Sequence, residues 1–144
     1  MNIFLDANIC LDLLDNTRPT SKSSVAWYME HKDDTTLVFY FSGDFITTFY
    51  YILTERKKID KHKVVEAIDA LCMEVTPFYL NHTDFIEAKN SFLDNMCDDF
   101  EDLMILHSTL RAGCRSFVTN DKELINMQNF GILNIEKVAA KGKI

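Results

Sequence analysis

Met1-Asn2-Ile3-Phe4-Leu5-Asp6-Ala7-Asn8 opens the chain and decides how the rest is read. Ile3, Phe4 and Leu5 form an apolar run too short for a helix and suited to a buried strand. The run ends in Asp6, with Asn8 two residues on. A carboxylate at the end of a buried strand loses hydration and needs compensation. In open α/β sheets that edge is where ligands bind. The reading therefore turns on which other acids can meet Asp6.

Two later stretches supply them. Phe117-Val118-Thr119-Asn120-Asp121 repeats the form of the opening, an apolar strand followed by polar residues and an acid. Cys97-Asp98-Asp99-Phe100-Glu101-Asp102 places four acids at the start of a strong helical pattern. There Asp98 and Glu101 have the spacing of a helix cap and its partner three residues on, and so do Asn120 and Glu123. That assignment leaves Asp99, Asp102 and Asp121 free to face Asp6. Two carboxylates about 4 Å apart repel by on the order of 4 kcal/mol at the effective dielectric near a protein surface. A divalent cation removes that repulsion, and an all-oxygen site with retained waters suits Mg²⁺ or Mn²⁺.

At 144 residues the chain has the length of one domain, 1–144. Glycine and proline are scarce, so helices should be plentiful and loops short. Helices are expected over 9–14 (opened by Asn8), 20–31, 44–58, 61–73, 83–95, 99–112 and 120–127. Strands are expected at 3–5, 36–41, 74–78, 116–119 and 131–134, with a frayed helical turn at the end. Alternating strands and helices imply a parallel sheet covered on both faces.

Composition excludes several classes. No apolar run approaches a membrane span, and no signal peptide is visible, so a cytoplasmic protein is expected. Cys10, Cys72, Cys97 and Cys114 lie far apart, and the four histidines show no ligand spacing; free thiols rather than zinc are expected. The net charge of −7 argues against a broad nucleic-acid-binding face. It leaves room for a nuclease, which needs acids at its centre and only a small basic rim. Arg56, Lys57, Lys58, Lys61 and Lys63 form one basic cluster, and Lys137, Lys141 and Lys143 another.

Read together, these stretches resemble the PIN-domain family, and within it the small single-domain ribonucleases that include VapC-type toxins. Phe4-Leu5-Asp6-Ala7-Asn8-Ile9 resembles the family's first motif. Asp99-Phe100-Glu101-Asp102-Leu103 resembles the motif opening its long helix, and Val118-Thr119-Asn120-Asp121 its last. The resemblance implies a three-layer α/β/α sandwich with a central, mostly parallel five-stranded sheet in which the first and fourth strands are neighbours. It also implies a metal-dependent ribonuclease, possessing Asp6, Asp102 and Asp121 as catalytic metal ligands for Mg²⁺ or Mn²⁺. Asn8, Asp99 and Thr119 support them. Implied partners are an RNA substrate, a second copy in a homodimer and a small antitoxin protein. The aromatic excess at Phe45, Phe49, Tyr50 and Tyr51 also fits an interface.

One position departs from the family pattern. In Phe41-Ser42-Gly43-Asp44-Phe45-Ile46-Thr47-Thr48, Thr48 stands where the family carries a glutamate. Asp44, one turn earlier on the same helical face, is the candidate substitute, acting through a water. The alternative function is therefore a catalytically weak PIN-like module that binds RNA or protein. A phosphatase with Asp6 as nucleophile is a more distant rival, since such enzymes want a second aspartate where Asn8 stands.

Overall fold

The computed structural model describes residues 1–138. Its elements run β1 (Asn2–Leu5), α1 (Ala7–Leu14), α2 (Ser21–His31), β2 (Val38–Ser42), α3 (Ile46–Tyr51), α4 (Lys61–Glu74), β3 (Thr76–Phe78) and α5 (His82–Leu93). Then follow α6 (Phe100–Arg111), β4 (Cys114–Thr119), α7 (Lys122–Met127), β5 (Asn129–Phe130) and β6 (Leu133–Lys137). The strands form one sheet in the order β3-β2-β1-β4-β6-β5. All pairs are parallel except β5–β6.

The mixed α/β sandwich is the one expected, with six strands in place of five. The additional strand is β5, two residues long. It folds back on β6 through Gly131, whose φ of 63° suits a glycine and marks a turn where a strand was expected to begin. The terminal helical turn expected from the sequence falls beyond the described residues, as do Lys141 and Lys143.

Strand alternation sorts the core into two halves. Ile3 and Leu5 of β1, with Phe39 and Phe41 of β2, join one cluster with α1, α2, α3 and α4. Phe4 and Phe117 join Leu103 and Leu106 of α6 on the other face, with Tyr40 packed beside them. Phe4 and Phe117 stack at 5.9 Å between centroids, locking β1 to β4. Because β1, β2 and β4 run parallel, their carboxyl ends lie together.

The expected helix 44–58 is broken into three. Gly43–Phe45 is a 3₁₀ turn, α3 follows, and Ile52–Arg56 continues as a π turn in which Lys57 N–H donates to Ile52 O at 3.1 Å. The aromatic excess divides: Phe49 is fully buried between Phe41 and Phe45, whereas Tyr50 and Tyr51 are exposed. All four cysteines are free, Cys10 and Cys114 buried. No helix among the described residues is long and apolar enough to cross a membrane.

Beneath α1 lies a buried ionic network. Asp12, 1% exposed, accepts from Arg18 Nε at 2.7 Å, Thr20 Oγ1 at 2.8 Å and Ser24 Oγ at 2.5 Å. The Arg18 guanidinium tethers the loop between α1 and α2. Removing one partner of a buried ion pair strands the other. Arg18→Met should therefore lower the unfolding free energy by about 3 kcal/mol in urea denaturation. A loss below about 0.5 kcal/mol, the range of an ordinary surface change, would show that the hydroxyls alone hold Asp12.

Candidate active site

The site starts from the termini of three helices. Asp6 caps α1, its Oδ1 accepting from Ala7 N–H at 2.7 Å. Asp99 caps α6, accepting from Asp102 N–H at 3.1 Å. Asp121 caps α7, its Oδ1 accepting from Glu123 N–H at 2.9 Å and Leu124 N–H at 3.4 Å. This corrects the sequence-based assignment of Asn8, Asp98 and Asn120 as the residues that open these helices. The acids themselves are the caps, because each precedes its helix with extended backbone and a side chain short enough to reach the first amides. Positive helix ends therefore face the same acids that crowd one another.

Asn8 and Thr119 tie Asp6 and the start of α1 to the end of β4. Asn8 Nδ2 donates to Asp6 Oδ2 at 3.1 Å and to Thr119 Oγ1 at 3.2 Å. Thr119 Oγ1 donates to Asp6 Oδ2 at 2.8 Å and accepts from Asp121 N–H at 3.0 Å. The threonine hydroxyl thus uses its one donor and both acceptor sites. Asn8 Oδ1 accepts from Asn120 N–H at 3.2 Å, so its carbonyl faces a donor and its amide faces the carboxylate.

Asn120 is a participant that sequence reasoning missed. Its Nδ2 reaches Asp12 Oδ2 at 3.4 Å and Ser24 Oγ at 3.3 Å. Asn8 and Asp12 stand four apart on α1, one turn on the same face, and each holds one end of Asn120. That spacing was visible in the sequence; its meaning was not, because nothing local says which loop lies opposite α1.

Asp102 differs from the other acids. Half-buried in the first turn of α6, its carboxylate receives no hydrogen bond among the described residues, while burial and then the charges of Asp99, Asp6, Asp121 and Glu101 push its pKa up to about 7. Burial also raises Asp6, with Asp121 adding to the effect, against the lowering influence of Thr119, Ala7 and Asn8. The structure thus places Asp6, Asp99, Asp102 and Asp121 within electrostatic reach of one another. Among the described residues, no three His, Cys, Asp or Glu side chains gather tightly enough to form a ready metal cluster. The donors nevertheless suit a hard cation: all are oxygens, Asp102 is uncommitted, and one oxygen of Asp121 accepts no hydrogen bond among the described residues.

Asp44 and Thr48 make no hydrogen bond to these acids among the described residues. Asp44 is exposed, and its Oδ2 accepts from Leu80 N–H at 2.8 Å, fastening the loop after β3. It is not among the charges that raise Asp6 or Asp102. Thr48 is exposed on α3, and its side chain makes no hydrogen bond among the described residues. His107, deep in α6, is paired with Ser91 Oγ at 2.8 Å, and burial lowers its pKa.

A mostly parallel sheet flanked by helices, with β1 and β4 side by side at its centre, is the architecture that the resemblance to the PIN domain implies. A PIN domain model matches residues 2–123, and the chain belongs to that family. Ribonuclease VapC1 of Aquifex aeolicus (strain VF5) is 31% identical over 126 residues, covering 83% of this chain and 81% of that protein. Two solved structures share the fold. VapBC2 from Rickettsia felis, bound to a DNA fragment from its promoter, superposes with a TM-score of 0.64 at 14% identity over 95% of this chain and 98% of that one. Mycobacterium tuberculosis VapC20, a sarcin-ricin loop cleaving toxin, does so with a TM-score of 0.61 at 15% identity over 80% and 86%.

The raised Asp102 has a consequence for stability. Its folded pKa lies above the ordinary value of 3.8, so between about pH 4 and pH 7 the folded chain binds more protons than the unfolded one. Asp102 therefore lowers stability as pH rises through that window, and its penalty is complete above pH 7. In metal-free buffer, Asp102→Asn should match wild type near pH 4 and exceed it at pH 7.5 in urea denaturation. A difference that is constant with pH would contradict this assignment.

Proposed function

We propose that the chain is a divalent-metal-dependent ribonuclease that hydrolyses phosphodiester bonds of RNA, as the toxin of a toxin–antitoxin pair. The observation that carries this reading is the meeting of Asp6, Asp99, Asp102 and Asp121 at the starts of α1, α6 and α7, with the Asp102 carboxylate taking no hydrogen bond among the described residues. Electrostatic destabilisation of this kind is retained where a ligand relieves it. The family membership and the ribonuclease relative support the reaction class.

Asp6, Asp102 and Asp121 would hold Mg²⁺ or Mn²⁺. When bound, such an ion acidifies a coordinated water and offsets charge on the phosphate oxygens. The chain's own work is positional. Asn8 and Thr119 fix the Asp6 carboxylate from α1 and β4, and Asp99 fixes the first turn of α6 that carries Asp102. Asn120, held from α1, sets the approach of Asp121.

One observation favours a second reading, a weakly catalytic module that binds RNA or protein. Asp44, in the 3₁₀ turn before α3, gives one carboxylate oxygen to Leu80 N–H, and Thr48 on α3 has no carboxylate to offer. The two readings separate on Thr48→Glu. An exposed position tolerates the change, so the variant should fold. It should tighten Mn²⁺ binding and raise cleavage of a mixed RNA pool, and Asp6→Asn should abolish both. Unchanged Mn²⁺ affinity in folded Thr48→Glu would remove α3 from the site. Cleavage by Asp6→Asn equal to wild type would remove the nuclease reading.

A homodimer and a small antitoxin partner belong to the same reading. They are supported by exposed Tyr50, Tyr51 and Val65 and by the VapBC assembly among the structural relatives. The purified chain should scatter light as a dimer, and Tyr51→Asp with Val65→Asp should scatter as a monomer. A wild-type monomer at high concentration would contradict the dimer.

A further inference from the structure

Ser42 closes β2 and is 3% exposed. Among the described residues, its Oγ is the one buried side-chain polar atom without a hydrogen-bond partner. Such a group costs free energy unless something satisfies it, and each case calls for a cause. The usual work of a serine here would be to cap the 3₁₀ turn Gly43–Phe45. Ser42 occupies that cap position and makes no side-chain cap bond.

Its place in the sheet suggests the cause. Leu5 pairs with Phe41 on one side and with Val118 on the other. One residue further along all three parallel strands stand Ser42, Asp6 and Thr119. Asp6 keeps the ladder through its N–H to Val118 O at 2.9 Å. Residues in one row of a sheet project to one face. Here it is the face of Phe4, Tyr40 and Phe117, which α6 covers. Asp6 therefore has a hydroxyl on each side. Thr119 donates to it, and Ser42 does not.

The occupancy of Asp6 separates the two roles. Its Oδ2 accepts from Asn8 and Thr119, and its Oδ1 from Ala7 N–H. An ionised carboxylate offers about four acceptor sites, so one is left, on Oδ1. A direct bond from Ser42 would close the last site by which Asp6 can bind anything. A water between them leaves Asp6 usable and satisfies the buried hydroxyl. Such a water needs two to four polar partners; Ser42 Oγ and Asp6 Oδ1, in one row on neighbouring strands, would be two of them.

We propose that Ser42 is a positioning residue of the acidic site, holding an ordered water against Asp6 from the β2 side. This rests on the reading of those acids as a cation site. Ser42 then supports the cation's surroundings from the side of Asp6 opposite Thr119, as outer-shell hydrogen-bonding partners do for metal sites generally.

The test is Mn²⁺ titration calorimetry and metal-free thermal unfolding on wild type, Ser42→Ala, Ser42→Thr and Asp6→Asn. Ser42→Ala should weaken Mn²⁺ binding by about ten-fold, the lower end of outer-shell effects. Its metal-free melting temperature should equal or exceed that of wild type, because a hydroxyl without a protein partner is removed. Ser42→Thr, which keeps the hydroxyl, should restore affinity. Unchanged affinity in Ser42→Ala overturns the proposal, as does an affinity that falls together with metal-free stability. Wild-type affinity in Asp6→Asn as well would show that the cation site itself is misplaced. Loss in Asp6→Asn with none in Ser42→Ala would reject Ser42 alone.

Discussion

Negative charge is concentrated at one edge of the sheet, and much of the architecture around it is compensation. Two carboxylates about 4 Å apart repel by on the order of 4 kcal/mol under surface-like screening. Against this, a hydrogen bond to a charged group contributes about 1.5–3 kcal/mol, and a helix N-terminus about 0.3–1 kcal/mol. Asp6 has three hydrogen bonds as well as the start of α1, enough to hold it in place despite burial. Asp121 has two amides of α7. Asp102 has only its place in the first turn of α6, with no hydrogen bond to its carboxylate among the described residues. The imbalance falls on Asp102, whose pKa burial and then the charge of Asp99 push up to about 7.

The fold delivers this arrangement through parallelism. Strands that run together end together, so Asp6 and Thr119 meet without a designed loop, and the helices that follow begin at the same edge. Asp6 and Asp121, which cap the helices that follow β1 and β4, thereby become site acids. The buried network of Asp12, Arg18, Ser24 and Asn120 extends the constraint inward and fixes the short link between Thr119 and Asp121. A loop held at both its backbone and its side chain has little freedom to relax away from the crowded carboxylates.

Much of this was legible in the sequence, for identifiable reasons. Ile3-Phe4-Leu5 and Phe117-Val118 are runs whose only stable place is a covered strand, and the acid after each marks its end. The neighbourhood of β1 and β4 came from family resemblance, not from periodicity. What stayed hidden was decided by contacts distant in sequence. Asp98 and Asn120 have cap spacing as good as Asp99 and Asp121, and only the backbone direction of entry separates them. Asn129-Phe130 is too short for alternation to show a strand. Asp44 reads as a substitute acting through a water, and nothing local shows that its Oδ2 accepts from Leu80, thirty-six residues on. Ser42 reads as an ordinary turn serine until its neighbours across two strands are known.

Anomalous diffraction from a crystal equilibrated with Mn²⁺ tests the central claim most directly, because it locates the ion without assuming any activity. The expected result is a peak bounded by Asp6, Asp102 and Asp121, with the Asp102 carboxylate turned toward it. A well-bound ion elsewhere on the molecule, with Asp102 left as it stands, would contradict the claim that these acids are gathered to hold a cation.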